Sequence, residues 1–149
     1  MTTPPPSPAL LAAVEKLPGG GLYLMTAAHD GARAGVLVRW VQRCSEASPL
    51  ICVAAPTGRP IAPLIRDSRV FGLCEIPPSD RLLVHKFSSA EPPDEQEDPF
   101  ASLRVRRLKT GAPILASARL ALDCEVARHF DLEADHELYV GLVVAAAGA

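Results

Sequence analysis

The sequence predicts a mainly β fold: an antiparallel sheet closed into a Greek-key or similar barrel, with two or three short helices around it. Three observations lead there. Apolar runs of strand length, six or seven of them, recur along the 149 residues and are separated by short polar turns. Helical periods rarely alternate with these runs, so parallel βαβ units are not evident. Consecutive strands joined by tight turns favour an antiparallel sheet, and closing it into a barrel removes the exposed edges that invite aggregation. The chain is 48% hydrophobic but only 5% aromatic, so its core is expected to be built from Leu, Val, Ile and Ala.

Taken from the N-terminus, residues 1–7 are Pro-rich and read as a disordered or extended leader. Ser7 and Pro8 have the chemistry of an N-cap and a first helical residue, and Leu10, Leu11, Val14 and Leu17 recur at helical spacing until "PGGG" stops the helix. Residues 1–20 are therefore separated from a domain over 21–149. "LYLMTAAH" reads as a strand, and Asp30-Gly31 as a tight hairpin into the next. That next strand, "GVLVRWVQRCS", has apolar side chains on both faces yet carries Arg39, Gln42 and Arg43 in its second half. A strand that borders a ligand would look like this, and so would one running out into solvent.

After the "SEASP" loop, "LICVAAP" is a continuous apolar strand, "TGRP" a polar turn, and "IAPLIRDS" a short helix despite Pro63. "VFGLCEI" is a strand closed by "PPSD", in which Ser79 is positioned to cap a helix through "DRLLVHKF" with Leu82, Leu83 and Phe87 on one side. "EPPDEQED" is acidic and Pro-containing, the composition of a solvated, mobile loop. "LRVRRLKTGAP" follows, and two long strands, "ARLALDCEVARHFDL" and "ELYVGLVVAA", end the chain across "EADH". No internal repeat stands out.

Bulk charge limits the possible partners. Fifteen basic and seventeen acidic residues give a net charge of −2, which offers no reason to expect nucleic-acid or membrane binding. No signal peptide is visible, and no segment approaches the roughly 20 apolar residues that span a bilayer. Cys44, Cys52, Cys74 and Cys124 form no C-x-x-C pair, and the last three sit in apolar runs where a reduced thiol acts as a small hydrophobe. A reducing, cytoplasmic setting is the expectation.

Candidate chemistry is sparse. Cys124, His129 and His136 lack the short spacing of a zinc site, so no metal ligands are assigned. There is no G-x-S-x-G, G-x-G-x-x-G or P-loop. Arg104 and Arg106 share one face of a strand; they suit a phosphate or acidic partner, and equally a solvated edge neutralised by Glu95, Glu97 and Asp98. In "APTGRP", the backbone, Thr57 and Arg59 could bind a phosphate beside a helix start, with Gly58 allowing close approach. An ordinary loop has the same composition. His136, at a turn-to-strand junction, either meets a ligand or faces water.

In order, these pieces resemble the flavin reductase-like family, the FMN-binding split β-barrel of flavoredoxin-type proteins, over Gly21 to Val144. The telling block is "GVLVRWVQRCSEASPLICVAAPTGRPIAPLIRDSRVFGLC". It is similar without gaps to a pattern G-M-T-x-S-W-x-T-Q-x-S-x-x-P-P, an apolar strand, a turn, then I-x-x-S-x-x-F. Gly35, Trp40, Ser45, Pro49, Ile65, Ser68 and Phe71 match it. "LLVHKFSS" resembles the family's helix ending in Lys/Arg-Phe-Ser, "GAPILASARLALDCEV" its G-x-P-x-L…A-x-L-x-C stretch, and "ADHELYVGLV" its Gly-Asp-His start of the last strand. The chain departs from the pattern at Leu37, Arg39 and Gln42, where small hydroxyls are usual, at Arg43 and Ser48, and at Ala134, which replaces the Gly.

The resemblance implies FMN at a homodimer interface and NAD(P)H as reductant. Arg39, Trp40, Val41, Gln42 and Ser45 would line the ring, and Cys44 and Phe87 would also belong to the cofactor site. Thr57, Gly58, Arg59 and Pro60 would hold the phosphate, and His136 would orient the nicotinamide or polarise the flavin. Hydride would pass to flavin and then to a partner oxygenase or small electron acceptor. Two other readings stand beside this one: a non-catalytic split-barrel module that binds flavin or another planar ligand, and a barrel without a ligand.

Overall fold

A computed structural model describes residues 7–17, 19–88 and 97–148. Helix α1 (Pro8–Glu15) begins as the sequence predicts, with Ser7 at the N-cap and Pro8 in the first turn. Its apolar stripe finds no core: Leu10, Leu11, Val14 and Leu17 are all exposed.

Strands β1 (Leu22–His29) and β2 (Ala32–Val38) form the expected hairpin. Asp30 and Gly31 have φ of 47° and 82°, the positive values that a two-residue turn needs to match strand twist. The single strand predicted over 35–45 does not form as one piece. It breaks at Arg39, and its second half is a separate strand, β3 (Trp40–Arg43). The reason is a change of neighbour: β2 pairs with β1, whereas β3 pairs with β4 (Leu50–Pro56). Helix α2 (Ile61–Ser68) forms despite Pro63, which lies in the first turn where its missing N–H costs no helical bond.

Strand β5 (Val70–Ile76) is followed by helix α3 (Arg81–Phe87). Its cap is Asp80, not Ser79: the Asp80 carboxylate accepts from Leu83 N at 3.2 Å. Leu83 and Phe87, four apart, share the buried stripe, while Leu82 is 84% exposed, so it does not belong to that face. Positions 91–96 of the acidic stretch, and with them the loop expected there, lie outside the described residues. Asp98 pairs with Arg33, through Nε at 3.0 Å and the adjacent Nη2, so it does not neutralise Arg104 or Arg106. Of the basic segment only β6 (Val105–Arg106) is strand, paired with β7 (Ile114–Leu115) as a small ribbon. The long strands β8 (Leu120–Asp131) and β9 (His136–Gly148) close the chain.

Among the described residues, nine strands thus replace the six or seven expected, two of them in the ribbon. The large sheet runs β2-β1-β5-β8-β9-β4-β3, with every pairing antiparallel. Its two outermost strands are consecutive in the chain and separated only by Arg39, so the sheet curls round on itself. Inside the curl, Met25, Val36, Val38, Val53, Phe71, Leu73, Cys124 and Tyr139 pack with Ile61 and Ile65 of α2. On the opposite side, Leu22, Leu24, Cys74 and Ile76 are covered by Leu83, Phe87, Phe100, Ile114 and Leu115. Strand β1 is therefore buried on both faces, which is why it reads as an unbroken apolar run. Burial pushes the thiol of Cys74 up to about 11 and that of Cys124 up to about 12, so both behave as the core hydrophobes expected. Among the described residues, no helix is long and apolar enough to cross a membrane.

Candidate functional site

Register places the predicted residues. Directly paired residues on neighbouring strands point to the same face of a sheet. One row therefore reads Trp40, Ala54, Leu138, Phe130, and the next Gln42, Cys52, Val140, Arg128. Val53, Ala55 and Tyr139 alternate with them and enter the core, so these rows lie on the outer face. The face is apolar yet open: Trp40 is 57% and Phe130 47% exposed. An exposed apolar strip of this kind marks a surface built for contact with something other than water.

At one end of the strip three predicted elements meet. The Trp40 and His136 rings lie 4.7 Å apart, tilted by 51°. His136 Nδ1 lies 2.9 Å from the Asp135 carboxylate. That bond, and after it the imidazole's charge, hold the fully exposed Asp135 carboxyl below the ordinary carboxylate range. Thr57 then ties the β4–α2 turn to the β8–β9 turn: its N–H donates to Asp135 O at 3.0 Å and its hydroxyl to the same carbonyl at 3.3 Å. The Thr57 hydroxyl proton is thus turned toward backbone rather than outward. Gly58 has φ +71°, and a Cβ there would meet nothing within 4 Å, so the turn is open at its tip. Arg59 is half-buried, and Pro60 occupies the N-cap of α2 without a side-chain cap bond.

The remaining predicted residues divide. Val41 packs against the core, while Arg39, Gln42 and Cys44 are exposed. Arg43 folds back on its own loop, donating to Ser45 O at 2.9 Å and Glu46 O at 3.2 Å, and Ser45 Oγ accepts from Ser48 N at 3.1 Å. Part of the unusual polarity of this strand is therefore loop construction. Because Cys44 N–H donates to Leu50 O of β4, alternation turns the amides of Val41 and Arg43 away from β4, on the side where Gly20 lies against the Val41 carbonyl. Phe87 is not brought to this place. Its ring is 5% exposed, packs on Phe100 at 5.3 Å, and fills the space left by Gly35, where a Cβ would come within 2.9 Å.

Sequence reasoning missed a second cluster. The Glu137 carboxylate receives the Tyr139 hydroxyl at 2.5 Å and meets His129 Nε2 at 2.8 Å, and the His129 and Tyr139 rings stack at 4.6 Å. Burial, then Glu137, pushes the Tyr139 phenol well above its ordinary value. Only the β8–β9 register, His129 opposite Tyr139, brings these residues together. A separate cavity of about 520 Å³ opens between α3 and the ribbon, lined in part by Leu82, Lys86, Ser102, Arg104 and Ser117; none of the residues expected to hold FMN lines it.

The signature of the flavin reductase like domain matches residues 17–148. The chain is 31% identical over 118 residues to diflavin flavoprotein A 1 of Synechocystis sp., covering 78% of this chain and 20% of that protein. It is 32% identical over 132 residues to the FMN reductase (NADH) RutF of Methylorubrum populi, covering 85% and 62%. It thus spans less than two thirds of either relative. Among solved structures, the NADH:FAD oxidoreductase SgcE6 of Streptomyces globisporus superposes with a TM-score of 0.81 at 17% identity, covering 100% of this chain and 88% of that one. At that identity the likeness is one of fold.

Proposed function

The chain belongs to the flavin reductase like domain family, and from that premise we propose that it binds FMN against the Trp40–His136 wall and catalyses hydride transfer from NAD(P)H to flavin. The observation that carries this reading is the meeting of Trp40, His136 and the Thr57–Pro60 turn at one end of an open apolar strip.

The residues present fit such a group. A flat tricycle needs an apolar floor and a row of donors and acceptors along one edge. Trp40, Ala54 and Leu138 supply the floor, and the amides of Val41 and Arg43 turned away from β4 supply the row, with Gln42, Cys44 and Ser45 beside them. The open turn at Gly58, with Arg59 next to it, suits a phosphate, approached through backbone because the Thr57 hydroxyl is occupied. Arg39, at the strand break, is exposed and within the same segment, where a cation favours an anionic ring. FMN, when bound, supplies the hydride acceptor. The chain's own task is to position two planar partners and exclude water, which calls for no catalytic triad. His136, held by Asp135 and packed against the Trp40 ring, stands at the end of that wall.

The strip of Leu138, Val140 and Phe130 is read as the seat of a second copy of the chain, with the ring at its β3 margin. Electrons would leave to a partner oxygenase or a small acceptor, in the cytoplasm. Titration with FMN followed by anaerobic addition of NADH or NADPH tests the reading. One FMN bound per chain and bleached by a reduced nicotinamide supports it. Binding without bleaching would leave a non-catalytic flavin module, and no binding would remove the flavin reading altogether.

A further inference from the structure

Cys44 is the first residue beyond β3 and is exposed; Cys52 lies in β4 and is half-buried. Cys44 continues the ladder opposite Leu50, to whose carbonyl its N–H donates at 2.9 Å, while Cys52 stands opposite Gln42. The two cysteines are therefore diagonal neighbours on one face. Cys44 Sγ donates to the Gln42 carbonyl at 3.6 Å, and the Cys52 thiol lies near enough to Cys44 for the two to perturb each other. Cys74 and Cys124 are fully buried elsewhere.

We propose that Cys44 and Cys52 form a hydroperoxide-sensitive dithiol that closes to a disulfide and staples the edge strand β3 to β4. The exposed Cys44 meets the oxidant. The Cys44 thiol ionises, its sulfur attacks one peroxide oxygen and the O–O bond breaks; the departing hydroxide takes up the proton that Cys44 released, leaving a Cys44 sulfenic acid and one water. The Cys52 sulfur then attacks the Cys44 sulfur. The S–O bond breaks, and the departing hydroxide takes the Cys52 proton as a second water. Two thiols have lost two electrons and two protons, and hydrogen peroxide has become two molecules of water.

The division of labour follows from position. Burial first, and contact with Cys44 second, push the Cys52 thiol up to about 11, so it is poorly reactive until a sulfenic acid stands beside it. Closure needs the Cβ atoms within about 3.5–4.5 Å, closer than a diagonal pair ordinarily stands. Cys44 is the one to make that approach, because it stands beyond the last β3 pair, at the start of the loop into β4. The sheet itself need not move.

The test treats the full-length protein with hydrogen peroxide and counts thiols, without added flavin so that the outcome is independent of flavin binding. The wild type should fall from four free thiols to two, and a peptide map should show Cys44 joined to Cys52 with the pair lighter by two hydrogens. Cys52→Ser should lose one thiol and yield a dimedone adduct at Cys44. Cys44→Ser should lose none at the same dose. Wild-type oxidation that stops at a Cys44 sulfinic acid, or that links two chains through Cys44, would overturn the proposal, as would no thiol loss at all.

Discussion

Replacing Asp123 with Ala should cost about 3 kcal/mol of stability, and the reason is local. Asp123 is fully buried in β8, an odd position for a carboxylate. It accepts from Lys109 N at 2.8 Å, from Thr110 N at 2.6 Å and from Thr110 Oγ1 at 2.5 Å. These bonds hold the β6–β7 connection against the barrel, next to Pro113, whose carbonyl receives the buried Thr26 hydroxyl at 2.6 Å. Truncation orphans two amides. Lys109 is exposed, so water can satisfy one, whereas the half-buried Thr110 amide bears most of the penalty. One unsatisfied buried donor costs about 1–3 kcal/mol, and the lost charge-assisted bonds add to it. Asp123→Asn keeps one acceptor and should lose only about 1 kcal/mol, the charge assistance. With an m-value of about 2 kcal/mol per M of urea, the unfolding midpoint should fall by about 1.5 M for Ala and about 0.5 M for Asn. Amide exchange at Thr110 should rise in step. Equal midpoints for wild type and Asp123→Ala, at unchanged m, would refute the role given to this carboxylate.

Gly141→Ala should destabilise by about 1–3 kcal/mol, since its Cβ would lie 2.6 Å from the ring of the fully buried Phe71, which has no room to yield; thermal unfolding checks it. The Arg33–Asp98 pair sets a pH dependence. Hydrogen bonding to Arg33 holds the folded carboxyl below its ordinary value, so its contribution is present above the unfolded value of about 3.9 and lost as pH falls through the folded one. With Asp98 40% exposed the pair should contribute only about 0.5 kcal/mol, so the urea midpoints of wild type and Arg33→Ala should differ slightly at neutral pH and converge in acid. A gap that widens in acid would contradict this. Phe130→Asp should yield monomers in sedimentation if the outer strip seats a second copy.

Much of the fold was legible because it is written in short-range signals. Asp30-Gly31 fixes a hairpin, Ser7-Pro8 a helix start, and the continuous run "LICVAAP" a strand, and each forms as read. What escaped depends on distant partners. Nothing within "GVLVRWVQRCS" says that the chain changes neighbour at Arg39, because β1 and β4 stand at different places in the sheet. Leu82 and Leu83 look alike in sequence, and only the docking of α3 decides which is buried. Trp40 and His136 lie far apart in the chain and meet because β4 runs between β3 and β9. Asp123 reads as a stray acid in an apolar strand until the amides of Lys109 and Thr110 are found on it.

Trp40 is the chain's only tryptophan, so its emission reports on the proposed wall and nothing else. Adding FMN should quench that emission along a saturable curve reaching one equivalent per chain, beyond the inner-filter loss shown by free tryptophan amide. Flavin that binds while Trp40 emission follows only the inner-filter control would place the ligand elsewhere and contradict the site.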